Sequence, residues 1–505
     1  MSNFKKSLDN YFKIGEKGST IRTEIIAGLT TFMTMVYILP VNAGMFSGAG
    51  WLGVSFGAIY ITTAIAAIIG TLLMALYAKL PFAQATGMGL NAFFCFTVCM
   101  PIAFGGSYGF TYANALVIIL ASGILFTCLT IGGIREKIVK AVPTAVRLAI
   151  PAGIGLFIAF IGLQDAGIII SDAQLMESIS GPFVSSATIV KLFSMKLTGS
   201  NANTFASLLP MFVTLVTVFG IAALAKLKVK GSILWGILGG SVVFVILALI
   251  FNAPVTLKGT DYAGLIGSGS NYYLNTALQN PITAFSDFGT QSFGKVFTEG
   301  FTGLFGSIDA VISFIAVFIS FAMVDMFDTI GTLLGTASRA NMLDENGEVP
   351  NMKKALLCDS VATMAGSILG TSTVTTFVES AAGVAEGGRT GLTSLVVAVL
   401  FFAAMFLSPI AQLIPMCATS AALIYVGVLM MGGVKNIDWE DAASAVPAFL
   451  TIIMMAFTYN ISYGIGFGFI SYVAIKLFTG KVKDIHPITA VLALLFLANF
   501  FFVTH

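Results

Sequence analysis

The chain alternates long apolar runs with short polar, glycine-rich breaks. Runs near 24–46, 54–78, 84–101, 110–133, 140–164, 205–225 and 231–251 come first. A more polar stretch, 252–305, precedes runs near 307–335, 354–370, 372–388, 391–408, 410–431, 444–460 and 462–478. Most approach the roughly 20 apolar residues that carry a helix across a bilayer. The pattern predicts an all-α polytopic membrane protein with 14 transmembrane segments, seven in each half. An odd number per half inserts the second half upside down, so the two halves are expected to be inverted repeats. One run in each half is interrupted. The first break is Pro81-Phe82-Ala83-Gln84-Ala85-Thr86-Gly87-Met88-Gly89-Leu90-Asn91, and the second is Thr371-Ser372-Thr373-Val374-Thr375-Thr376-Phe377-Val378-Glu379-Ser380. Such backbone is tolerated at membrane depth only where it lines a cavity or is buried in protein. Broken spans in matching positions point to a carrier's substrate site. A last apolar run, 487–503, fits either a fifteenth span or an interfacial helix.

Composition agrees with this pattern. Only 10% of the 505 residues are charged, against roughly 25% in soluble domains, and mean hydropathy is +0.96. A net charge of +2 gives no ground for nucleic acid binding. Basic clusters follow even numbers of crossings: Lys5, Lys6, Lys13, Lys17 and Arg22; Arg135, Lys137 and Lys140; Lys226, Lys228 and Lys230; Arg339, Lys353 and Lys354; Lys481 and Lys483. Positive charge marks the cytoplasmic side, so the N-terminus is expected there. The polar, basic residues 1–22 and the long run after them read as a first span, not a cleavable signal. Cys95, Cys99, Cys128, Cys358 and Cys417 show no zinc or disulfide spacing and read as small buried residues. The two histidines, His486 and His505, lie near the C-terminus. Any proton carrier inside the membrane is therefore Asp or Glu. No hydrolase elbow, phosphate loop or nucleophile–base pair is present, so neither an enzyme nor a cofactor or metal site is expected.

Few acids fall well inside the runs: Asp325, Asp328, Asp359 and Glu379, with Asp309 and Glu24 near run ends. Arg147, Arg389 and Lys79 sit at boundaries, leaving no cation at comparable depth. Intramembrane carboxylates are costly and mark function by default. Asp325 and Asp328, three apart, share a helix face and resist double ionisation, as a proton-coupled carrier requires. The bland alternative is that one caps a broken helix. Residues 371–376 favour extended backbone. Phe377 onward then starts a half-helix, with Glu379 in its first turn at the positive dipole end. Asn91 offers an amide donor and acceptor in the opposing break, or it satisfies loose backbone there. Thr30, Thr31 and Thr34 read more readily as bonding their own helix, and Asp359 as a helix-to-helix tie. Gly464/Gly468 and Gly236/Gly240 read as close-packing pairs.

Four of these segments resemble a known family. They are Gly18–Phe32, Gly87–Phe94, Asp325–Thr332, and Thr375–Val384 followed by Gly387–Gly391. Together they resemble the nucleobase:cation symporter-2 (xanthine/uracil permease) superfamily, within it the AzgA-like hypoxanthine/guanine/adenine permeases. The likeness spans essentially the whole chain. It implies a core domain of spans 1–4 (1–133) and 8–11 (307–408), and a gate domain of spans 5–7 (134–251) and 12–14 (409–480). An extracellular loop (252–306) lies between the halves, and the apolar segment 481–505 has no assigned place. It also implies short antiparallel strands in broken spans 3 and 10. The implied activity is import of hypoxanthine, guanine or adenine across the bacterial cytoplasmic membrane. Proton symport with an elevator-like motion would drive it, sodium being the other candidate ion, and homodimers are common in related folds. The purine site implied is Asn91, Asp325, Phe377, Val378 and Glu379. Proton coupling falls to Asp328 first, then to Glu379 or Asp325.

The chemistry of a purine suits these residues. It is a flat neutral ring with N–H donors and N or C=O acceptors. A carboxylate accepts two adjacent N–H groups, an Asn amide complements the other edge, and Phe377 or Phe93 stacks on the face. The lack of a deep cation argues against a sulfate or bicarbonate carrier. The reading left open beside this one is an ion channel or ion exchanger of related fold, whose broken spans would line a filter.

Overall fold

The computed structural model describes residues 3–102, 108–133, 141–171, 190–192, 205–251, 281–339, 342 and 349–502. The basic cluster Arg135, Lys137 and Lys140 and the loop portion 252–280 lie outside the described residues, as does the side chain of Asp309.

Ten described helices are long and apolar enough to cross a membrane. They correspond to spans 1, 2, 4–8, 11, 12 and 14. Span 9 (Met352–Leu369) has the length but carries Lys353, Lys354 and Asp359. Span 13 (Ala442–Phe457) is a shorter apolar helix. Spans 3 and 10 are each half strand and half helix. The expected fourteen spans are thus all present, although no length-and-hydropathy rule counts them all.

The two broken spans meet as expected. Strand β1 (Gln84–Thr86) pairs antiparallel with a strand of the second half (Val374–Thr376), in register Gln84↔Thr376, Ala85↔Thr375 and Thr86↔Val374. Gly87 N–H to Thr373 O (3.1 Å) and Phe377 N–H to Ala83 O (3.0 Å) extend the ladder. Extended backbone cannot bond within itself, so each interruption satisfies the other. Gly370, at φ +99°, ends span 9 and turns the chain into the second strand. That left-handed conformation costs glycine nothing.

Span 1 differs from the single helix expected. It is two helices, Ile21–Met35 and Ile38–Gly48. The cause is Pro40, which has no N–H to offer the Val36 carbonyl. Leu39 N–H reaches that carbonyl instead at 3.2 Å, tightening the turn. Tyr37 stands in the break.

Span 5 (Thr144–Asp165) packs on spans 12 and 13, and span 6 on spans 7 and 12. Span 11 packs on spans 1 and 2, and span 9 on spans 2 and 4. Both expected glycine pairs permit close approach: a Cβ at Gly236 or Gly240 would collide with Ile221 or Thr217, and one at Gly464 or Gly468 with Met455 or Thr451. The apolar run after span 14 is a helix, Pro487–Phe502, packed on spans 14 and 8. Thr489 ties it to the Ala141 carbonyl at 2.7 Å. Four cysteines are buried as expected, but Cys128 is exposed. It shares that face of span 4 with exposed Ile124 and Ile131, a surface suited to lipid.

Two motifs far apart in sequence meet at Glu24. Its buried carboxylate accepts from the N–H groups of Arg389 (2.9 Å), Thr390 (3.2 Å) and Thr393 (3.3 Å), and from the Thr393 hydroxyl (2.6 Å). This caps the start of span 11 with a residue of span 1, at the positive end of the helix. Glu24→Ala orphans several buried donors at about 1–3 kcal/mol each. The expected result is a clearly lower thermal-inactivation temperature in detergent; a variant as heat-stable as the parent refutes the capping role.

Candidate functional site

A cavity of about 700 Å³ lies where the paired strands face spans 5, 8 and 12. Its walls include Gly87–Leu90 of span 3, Thr375–Glu379 of span 10, Asp328 of span 8 and Tyr37 of span 1. The close approach of spans 3 and 5 depends on Gly89, where a Cβ would strike Ile154.

Glu379 lines the cavity, half-buried. The half-helix expected from Phe377 onward, with Glu379 in its first turn, begins only at Ser380–Ala385. Residues 377–379 instead form a turn, with Ser380 N–H on Phe377 O (3.1 Å) and Ala381 N–H on Val378 O (3.0 Å). Those turn bonds leave the Glu379 carboxylate no capping role. It accepts a hydrogen bond from the Tyr37 hydroxyl, 2.6 Å from Oε1. Sequence reasoning missed Tyr37. The signal available was Pro40, which breaks span 1 just where Tyr37 sits.

Asp328 also lines the cavity, and Thr375 Oγ1 donates to its Oδ2 at 3.3 Å. Phe377 is buried and lines the cavity, and Val378 is exposed there. Phe377, Val378, Glu379 and Asp328 are therefore brought together. Asp325 and Asn91 are fully buried and stand behind the wall. The Asn91 amide is committed on both ends. It donates to Thr86 Oγ1 at 3.3 Å and accepts from the Ser372 hydroxyl, tying span 3 to span 10. Phe93, the other candidate for stacking, packs edge-on against Phe321 (5.0 Å) in the core. Thr34 bonds the Thr30 and Thr31 carbonyls of its own helix. Asp359 accepts from the Thr329 hydroxyl at 2.7 Å, the helix-to-helix tie expected of it.

Two cations from span ends also reach this cavity. Arg147 is half-buried on the cavity wall, and Lys435 lines the same cavity. Spans 5 and 12 place these cations at its outer end, with exposed Gly432 and Asn436. The linear distance of Arg147 from the end of its run concealed this, because the cavity reaches down to that end.

Comparison with known proteins narrows what such a cavity serves. A family model described as "Permease family" (Xan_ur_permease) matches residues 22–467. The guanine/hypoxanthine permease PbuO of Bacillus subtilis is 39% identical, over 97% of this chain and 99% of that one. The adenine permease AdeP of Escherichia coli is 36% identical, over 98% of this chain and 96% of that one. Among solved structures, the transmembrane domain of a cyanobacterial bicarbonate transporter, BicA, superposes with TM-score 0.57 at 15% identity, covering 88% of this chain and 97% of that one. That last likeness concerns the fold alone. With a family model that covers most of its length and relatives alike from end to end, the chain belongs to the permease family and is a multi-pass membrane transporter.

Proposed function

We propose that the protein carries purine nucleobases inward across the bacterial cytoplasmic membrane by proton symport. The observation that carries this reading is the Glu379 carboxylate, held by Tyr37 and flanked by Phe377 on the cavity wall. A carboxylate accepts paired N–H groups of a ring, and an aromatic face beside it takes the ring's plane. The whole-length similarity to guanine/hypoxanthine and adenine permeases supports it. Asn91 and Asp325 then act from behind the wall, by holding the two broken spans and the site side of span 8. Asp328 carries the coupled proton. Spans 1–4 and 8–11 form a core that moves against a gate of spans 5–7 and 12–14, a division supported by the most extensive helix packing falling within each group. The basic clusters put the N-terminus in the cytoplasm. Arg147 begins span 5 and Lys435 ends span 12, so the cavity mouth faces the same side, an inward-open arrangement.

The test is uptake of radiolabelled hypoxanthine into vesicles containing the purified protein, competed by a panel of nucleobases. Saturable uptake driven by a pH gradient separates this reading from a channel. Inosine should compete far more weakly than hypoxanthine. The open cavity is not small by ligand-site standards, so this discrimination rests on closure: a ribose keeps core and gate from meeting around the base. Inosine competing as strongly as hypoxanthine sinks that account.

A further inference from the structure

The two ends of the cavity differ in hydrogen-bonding chemistry. The inner end presents Glu379 and Asp328, whose carboxylates only accept when ionised. The outer end presents Arg147 and Lys435, which only donate. Two helices measure the interval. Asp328, Thr332 and Thr336 line the wall along one face of span 8, and eight helical residues cover about 12 Å. Arg147 and Ile154 line it from span 5, and seven residues cover about 10 Å. Ile154 abuts Gly89 of the broken span, so Arg147 stands that far toward the mouth. Neither Arg147 nor Lys435 is ion-paired among the described residues. The Thr336 hydroxyl, buried at the same end, has no hydrogen-bond partner among the described residues.

We propose that the cavity also binds a purine nucleoside monophosphate from its mouth, with the base at Glu379 and Asp328 and the phosphate on Arg147 and Lys435. This rests on the purine reading above. A base alone leaves the outer cations unanswered. The base and its ribose together bridge an interval of this length, and a phosphate meets a guanidinium and an ammonium through charge-assisted hydrogen bonds. The nucleotide is an inhibitor and not a substrate, because its sugar and phosphate fill the space the two walls must close. The cytoplasmic pool of purine nucleotide thereby restrains further import of the base.

Equilibrium displacement of radiolabelled hypoxanthine from the purified full-length protein in detergent tests this, using inosine monophosphate, inosine and inorganic phosphate as competitors. The nucleotide should displace at a concentration at least tenfold below that of inosine, and phosphate alone should not displace. Salt should shrink the advantage. Arg147→Gln and Lys435→Gln should each reduce the nucleotide toward inosine while hypoxanthine binding persists. Lys435 is exposed, so its variant carries the test if Arg147→Gln does not fold. A nucleotide no better than inosine overturns the proposal, as does an advantage retained in the variants. Loss of the advantage on adding anionic phospholipid assigns the cations to lipid headgroups and also overturns it. A parent protein that binds no hypoxanthine sinks the purine reading itself, a distinguishable failure.

Discussion

Glu379→Gln should weaken equilibrium binding of hypoxanthine about tenfold to a hundredfold. The change keeps size and shape but removes the anionic acceptor. A hydrogen bond to a charged group contributes roughly 1.5–3 kcal/mol, and each 1.4 kcal/mol is about tenfold in affinity. The Gln carbonyl still accepts from the Tyr37 hydroxyl, now 2.6 Å from Glu379 Oε1, so the turn at 377–379 keeps its form. That makes the variant a test of ligand recognition and not of folding. The measurement is binding in detergent without any gradient, which separates recognition from coupling. Unchanged affinity there removes Glu379 from the purine site.

Asp328→Asn should abolish accumulation of purine driven by a pH gradient alone, while exchange of internal for external purine survives. Exchange needs no net proton movement, whereas concentrative uptake does. The bundle offers no histidine for the task, since the two in the chain are His486 and His505. Asp328 lines the cavity, where the Thr375 hydroxyl donates to it at 3.3 Å. An Asn side chain still accepts that bond, so insertion and folding should be retained. Uptake and exchange in the same vesicle preparation decide the matter. A variant that still concentrates hypoxanthine in response to an inward proton gradient passes the coupling role to Glu379 or Asp325.

The fourteen spans and the inverted halves were legible in the chain because each follows from local rules, whereas the pairing of the two breaks as strands was implied by the family resemblance alone. Apolar length sets a span, and parity sets the inversion. A β-branched, polar stretch such as Val374-Thr375-Thr376 favours extended backbone, and at membrane depth that backbone must find a partner. The close-packing glycines and the Asp359 tie were readable for the same reason. A small or polar residue inside an apolar run has few uses besides contact with another helix.

What the sequence by itself determined is therefore the membrane architecture, the short list of buried carboxylates and the family. What only the tertiary structure decided is which of those groups share a space. Asp325 and Asp328 are three residues apart, yet Asp328 faces the cavity and Asp325 lies behind it. Asn91 spends its amide on Thr86 and Ser372, from two different halves of the chain. Glu24 finds the start of span 11 across 365 positions. Tyr37 reaches Glu379 across 342. Arg147 looks peripheral in sequence and stands on the cavity wall. Helix periodicity fixes a residue's face only relative to its own helix axis. Which neighbour that face meets depends on the rotation and depth of every helix in the bundle, and those are set by packing among residues far apart in the chain.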